Sequence, residues 1–310
     1  MNHFLSTIAG VNGIVVYTVV FNLSTVSLSV FEGISQTIQP MVSNYFGEKS
    51  FRSIKETLRL ALITIFIICG SVTLILEIIP SVVPIVFGID DALLIEQSAV
   101  AVRIFATSMI IMTVNVVIGY YLQSTEQSFM SSVIISLRCF VLFLAATFLL
   151  GKLFGEGGIW AAYTVAELAT FVIIAFMVQI KRKRLKKQGV DANILLLDKS
   201  VENNTACFTS KYSSELLDDF IAYVEEELQK NEQVSNTVRY NAITYLKAIA
   251  EHCPEAKGRY VEVEINSVQK KVTIRDNLKY ENATEHLEAV AQKSNGTSES
   301  VLGWNRICFE

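Results

Sequence analysis

The sequence has no GxxxxGK(S/T) loop, no HExxH pair and no nucleophile elbow, so the usual phosphate-cradle, zinc-protease and serine-hydrolase chemistries have no foothold in it. Its five cysteines, at 69, 139, 207, 253 and 308, form no CxxC pair, which leaves little for a disulfide framework or a zinc site. No metal site and no catalytic residue is expected. The C-terminal part is acidic and lacks the clustered cations that hold phosphates, which argues against nucleic acid. The first apolar helix has no basic n-region and is too long for a secretion signal.

What the chain does have is length without charge. Five apolar stretches, 14–41, 57–79, 98–121, 129–150 and 158–180, each reach or exceed the roughly 20 residues that carry a helix across about 30 Å of hydrocarbon. A shorter stub, His3 to Ala9, precedes them and ends at Gly10, Val11, Asn12, Gly13. The last stretch runs into Lys181, Arg182, Lys183, Arg184, Leu185, Lys186 and Lys187, a cationic exit that marks the cytoplasmic side. Loop charges agree. Lys49, Arg52 and Lys55 put the connection after the first crossing inside, and Asp90, Asp91 and Glu96 put the following connection outside. The expected protein is a multi-pass plasma-membrane protein with its C-terminal domain in the cytoplasm, where cysteines stay reduced and the three N-x-T sequons meet no glycosylating lumen. Its net charge divides accordingly, +3 over residues 1–187 and −7 over 188–310.

Polar residues inside spans are costly, so they point to function or to buried pairing. Asn22, Thr25, Ser29, Glu32, Gln36 and Gln39 recur at three- and four-residue intervals and share one face of the first helix. As a set they fit a cavity wall, to which Asn115 of the third span is added. Arg138 and Glu167, in the fourth and fifth spans, fit a buried ion pair between neighbouring helices. Singly, each of these residues also fits an ordinary interhelical hydrogen bond. Glu77 and Arg103 lie near helix ends and read as structural.

Several segments carry a family resemblance. Phe31-Glu32-Gly33-Ile34-Ser35-Gln36-Thr37-Ile38-Gln39-Pro40-Met41-Val42-Ser43, with Tyr45-Phe46-Gly47-Glu48-Lys49 after it, resembles the second-half signature of multidrug and toxin extrusion (MATE) transporters. Tyr121-Leu122-Gln123-Ser124, Arg138, Gly158-Ile159-Trp160-Ala161 and Ala166-Glu167-Leu168 extend the likeness over residues 2–182. The resemblance implies a twelve-helix fold of two halves around a cavity, exporting small organic cations or drugs by antiport with Na+ or H+. On that match the stub is the end of helix seven, and the crossings are helices eight to twelve. The first half would then be missing, so the chain reads as a truncated or fragmentary transporter whose partners include membrane lipid, the missing N-terminal lobe or a cytoplasmic protein. A flippase of lipid-linked oligosaccharides in the same superfamily is an alternative, although the stripe is neutral to acidic where a polyanionic head group calls for cations. The other alternative is a signalling or protein-interaction module that the helices merely anchor.

Residues 183–211 read as the basic exit and a polar linker, and 212–310 as a small α/β sandwich. Leu216, Leu217, Phe220, Ile221, Val224 and Leu228 mark an amphipathic helix capped by Ser213 or Ser214, and a second helix covers Thr237 to about His252. Strands are expected at Tyr260–Asn266, Lys271–Arg275 and Val301–Phe309, with a helix over Ala283–Lys293. Residues 242–252, Thr273-Ile274-Arg275-Asp276-Asn277 and Leu302-Gly303-Trp304-Asn305 resemble the ATP-binding fold of anti-sigma-factor kinases and histidine kinases. That resemblance makes Asp276 a remnant of an adenine site. Thr244 and Ala248 stand where the family has a glutamate and a magnesium-binding asparagine, Leu278 replaces a small residue, and the lid between Ala283 and Ser300 is short. No nucleotide cofactor and no kinase activity are expected. Taken whole, the expected fold is a membrane α-helical bundle, the second half of a MATE-type fold from part of helix seven to helix twelve, followed by the soluble sandwich.

Overall fold

In the computed structural model the apolar stretches are helices that extend beyond their apolar cores. The structure describes residues 2–211, 214–252, 259–277, 297–301 and 304–310. They fall into two units, Met1–Gly189 with Ile194–Leu196, and Val190–Asn193 with Leu197–Glu310.

In the first unit α1 spans Asn2–Glu48, α2 Phe51–Ile78, the short α3 Val82–Val86, α4 Ala92–Ser124, and α7 Glu156–Lys187. Between α4 and α7, α5 (Ser128–Ser136), a π-helical turn (Leu137–Leu142) and α6 (Phe143–Phe154) run on as one span. Among the described residues, five helices are therefore long and apolar enough to cross a membrane. Gly10 interrupts α1 at φ 65° and ψ −164°, backbone that only glycine adopts without strain, so the stub and the first crossing are two helical pieces. Asp91 ends an acidic connection and also caps α4, its Oδ1 accepting from Leu94 N at 3.0 Å. At the far end of α2, Arg103 Nε donates to Glu77 O at 3.3 Å, satisfying a carbonyl that the helix leaves unpaired. Helix α7 continues through the basic run, whose cations suit the negative end of its dipole.

Helix α4 is the centre of this unit. In its most apolar stretch 61% of residues are buried, against 22–28% in the other four spans. It packs against α1, α2 and α7. Ala101, Ala106, Ser108 and Gly119 let these neighbours approach closely, the small-residue packing that membrane bundles use in place of a hydrophobic drive between helices. The outer helices bury one face and leave Leu60, Ile67, Leu74 and Ile78 of α2, among others, exposed.

Among the described residues of the second unit, five antiparallel strands lie in the order β1-β2-β3-β5-β4, with β1 Thr205–Lys211, β2 Tyr260–Asn266, β3 Lys271–Asp276, β4 Thr297–Val301 and β5 Trp304–Phe309. The short α8 covers Lys199–Asn203; α9 (Ser214–Lys230) and α10 (Asn236–His252) pack on one face of the sheet through Leu217, Val224, Leu246 and Ile249 against Val263, Ile274 and Ile307. Two sequence expectations change. The stretch read as linker contains α8 and β1, and β1 pairs with β2 along its whole length, from Thr205↔Asn266 to Lys211↔Tyr260. Its residues are polar because it is an edge strand half open to solvent, which masks the alternation of a buried strand. The last expected strand is a hairpin, β4 and β5, whose first arm Thr-Ser-Glu-Ser-Val has weak strand propensity. The helix expected over Ala283–Lys293, Leu278, and Leu302 and Gly303 lie outside the described residues. Among the described residues, Cys69, Cys139, Cys207 and Cys308 form no disulfide.

Helices α6 and α7 meet at Gly158, where an added Cβ would lie 2.0 Å from Leu150 O. That obstacle is backbone, so Gly158→Ala must push the two helices apart. The expected cost is about 1–3 kcal/mol, the usual range for overpacking. It should be read as a lowered thermal midpoint of the detergent-solubilised chain, while Gly157→Ala, with nothing within 4 Å of its Cβ, leaves the midpoint nearly unchanged.

Candidate transport site

Two polar features occupy the membrane unit, and they lie in different surroundings. The first is buried. Trp160, Tyr163, Glu167, Thr170 and Ile174 follow at three- and four-residue intervals on α7, the face that packs inward. Glu167 is 6% exposed and Arg138 8%. Arg138 Nε donates to Glu167 Oε1 at 2.9 Å, so the two residues expected to pair do meet. Arg138 lies in the π-helical turn and is buried, while the next residues, Cys139, Phe140 and Val141, are exposed.

Asn115 joins this cluster. It is 1% exposed, and its Nδ2 donates to Glu167 Oε2 at 2.7 Å and to Glu167 O at 2.9 Å. Grouping Asn115 with the stripe on α1 is therefore corrected: α4 is enclosed by its neighbours, and a polar residue at its centre meets α7 before any open surface. Each carboxylate oxygen of Glu167 thus has a donor, from two different helices.

The second feature is the stripe on α1. Ser29 and Gln36 are exposed and Asn22, Glu32 and Gln39 half-buried, whereas Val16, Val20, Ser27, Phe31, Ser35 and Val42 make up the buried face of the same helix. The hydroxyls are satisfied within α1, Thr25 Oγ1 donating to Phe21 O at 3.0 Å and Ser29 Oγ to Thr25 O at 2.9 Å. Gln36 reaches outward instead, its Nε2 donating to the hydroxyl of Tyr120 on α4 at 3.0 Å. Higher on the same helix Ser24 Oγ lies 3.5 Å from the hydroxyl of Tyr163 on α7. The Tyr163 ring is set edge-on to Phe105 at 5.2 Å and against Phe143 at 4.5 Å.

Tyr120 and Tyr163 were not singled out in the sequence. Tyr163 had a usable signal, four residues before Glu167 and so on the same face of α7. Tyr120 had none, because contact with Gln36 depends on how α1 crosses α4.

In the second unit Asp276 is 1% exposed, and its Oδ1 accepts from Asn305 Nδ2 at 2.8 Å, across the β3–β5 ladder in which these two residues are register partners. Ala248 is buried in the core between helices and sheet, and Thr244 Oγ1 donates to Tyr240 O at 2.8 Å within its own helix. Beside Asp276, Arg275 lies between Glu262 at 3.1 Å and Glu264 at 3.0 Å.

Removing one partner of a buried ion pair costs about 3–5 kcal/mol, chiefly through the charge left behind. Arg138→Met and Glu167→Leu should each lower the thermal midpoint of the purified chain sharply, and the double variant should be more stable than either single one. Additive losses would show that the two charges are not each other's counter-ions.

The comparisons with known proteins bear on the membrane unit. A family model described as MatE matches residues 1–149. Among solved structures, the outward-facing conformation of a multidrug resistance MATE family transporter of the MOP superfamily is 15% identical, with a TM-score of 0.54 over 60% of this chain and 42% of that one. A MATE in complex with MaL6 gives the same identity, score and coverage. The inward-facing conformation of a MATE family transporter is 14% identical, at a TM-score of 0.54 over 60% of this chain and 43% of that one. The chain thus spans about two fifths of the length of the solved transporters it matches. No curated protein matches. Residues 1–149 are similar in sequence to MatE, and the five-helix unit has the fold found in MATE transporters, that of a multi-pass membrane protein.

Proposed function

We propose that the membrane unit is the C-terminal lobe of a MATE-type exporter, helices seven in part to twelve, which works with an N-terminal lobe to move small organic cations or drugs against Na+ or H+. The observation that carries this reading is the polar stripe of α1, exposed at Ser29 and Gln36 and half-buried at Asn22, Glu32 and Gln39, on a different face from the buried Val16, Val20, Phe31 and Val42. Hydrocarbon does not tolerate a row containing Asn22, Glu32, Gln36 and Gln39, so that face requires water or a second lobe across a wet cleft. Its neutral-to-acidic character suits cationic substrates better than a polyanionic head group. The cluster of Arg138, Glu167 and Asn115 serves as the internal clamp that keeps α4, the π-turn span and α7 together while the cleft face changes partners. The cationic end of α7 supports a cytoplasmic setting for the second unit.

In a cysteine-free background, Ser29→Cys and Gln36→Cys should react with a water-soluble maleimide, while Val26→Cys and Val30→Cys on the exposed apolar part of α1 should not. With a six-helix N-terminal lobe co-expressed, Gln36→Leu should lower ethidium efflux several-fold at unchanged protein level. Equal labelling of all four sites, or unchanged efflux, would return the stripe to a packing role.

We further propose that the second unit is a degenerate histidine-kinase-like domain without catalysis, acting as a regulatory contact for a cytoplasmic protein. Ala248 offers magnesium no oxygen, and Asp276 is engaged by Asn305. Losing the metal and its phosphate contacts removes charge-assisted bonds worth about 1.5–3 kcal/mol each. Titration of the full chain with ATP and magnesium should therefore give no binding tighter than about millimolar. Micromolar, metal-dependent binding that Asp276→Asn abolishes would show a working site.

A further inference from the structure

Where α7 leaves its apolar stretch, a cavity of about 330 Å³ opens between α4 and α7. Its walls include Ile118 and Leu122 of α4 and Phe171, Ala175 and Val178 of α7, and the segment Ile194–Leu196 closes one side. That segment is held in place. The Tyr121 hydroxyl donates to Leu195 O at 2.6 Å, and Leu196 takes φ 59°, an uncommon conformation for a branched side chain that the surrounding bonds maintain. Arg182 completes the lining, and Lys181, Lys183, Arg184, Lys186 and Lys187 flank it on the same helix end. From residue 168 to residue 190 the sequence has no acidic side chain.

We propose that this cavity holds an acyl chain of an anionic phospholipid, with the lipid phosphate among Arg182 and its cationic neighbours. The shape is right for a chain rather than a whole drug, since the volume is at the bottom of the roughly 300–1,000 Å³ range of ligand pockets. The charge is right for an anion and wrong for the organic cations of the proposed transport, which this rim repels. Position agrees as well: the apolar walls end where the helix passes from hydrocarbon to head groups, the depth at which basic clusters meet anionic lipid. This inference needs only the membrane setting and is independent of what the lobe transports.

The test is native mass spectrometry of the full chain released from nanodiscs of equimolar phosphatidylglycerol and phosphatidylcholine. Phosphatidylglycerol should be retained about fivefold over phosphatidylcholine, the discrimination expected of a juxtamembrane cation. Arg182→Gln should bring the two close to parity. Ala175→Trp, which fills the cavity without altering charge, should remove bound lipid of both kinds, and the smaller Ala175→Leu should reduce it in part. Equal retention of the two lipids by the unaltered chain overturns the proposal, as does unchanged retention in both cavity-filling variants.

Discussion

A carboxylate inside a membrane-spanning bundle must be matched by donors, and Glu167 is matched by two at once. Arg138 comes from the π-turn span and Asn115 from α4, so three helices are fixed relative to one another by one side chain. This dictates much of the surrounding packing. For Asn115 to reach α7, α4 has to be enclosed, which its small residues permit. Arg138 faces inward from a span with exposed Cys139, Phe140 and Val141, and it lies within the local π turn. An apolar replacement of the whole cluster would hold the helices together without fixing their register. The charged cluster does fix it, because an ion pair with a neutral third partner has one good arrangement where apolar side chains have several.

The stripe on α1 solves the same difficulty by other means. Serine and threonine hydroxyls can return their hydrogen to a carbonyl one turn back, so Thr25 and Ser29 make no demand on their surroundings. Amides and carboxylates are too long and have too many polar atoms for that. Gln36 finds Tyr120, yet a glutamine with four hydrogen-bonding sites is not satisfied by one phenol. Glu32, Gln36 and Gln39 thus set polar atoms on a face that is half-buried at Glu32 and Gln39 and exposed at Gln36, where contact with hydrocarbon is costly.

The spans were legible because twenty apolar residues in a row have few readings, and the Arg138–Glu167 pair because two opposite charges inside lipid are seldom left apart. Asn115 was misplaced for a physical reason. Sequence periodicity tells which residues share a face of one helix, but not which face its neighbours cover, and α4 is covered almost all round. The same gap hid Tyr120. Strand β1 was missed because an edge strand need not alternate strongly, and its identity comes from pairing with β2, which begins 49 residues after β1 ends. The cap at Asp91 could have been read from the sequence, had the residue been weighed as a helix start as well as a loop charge.

Asp276 shows how a motif residue can be explained without its motif's chemistry. In the sheet it stands opposite Asn305, and their side chains bond across the ladder. A buried carboxylate that loses such a donor costs about 1–3 kcal/mol or more, so the pair is demanded by the strands themselves. The neighbouring Arg275, set between Glu262 and Glu264, makes the same point with full charges: polar groups at this sheet are held by one another. An aspartate required by its ladder partner says nothing about adenine. At the position that the kinase resemblance would assign to magnesium the chain has Ala248, buried in the core and without an oxygen to offer. At these positions the side chains have structural roles, Asp276 through Asn305 across the ladder and Ala248 in the core between helices and sheet, and a motif match alone does not assign them chemistry.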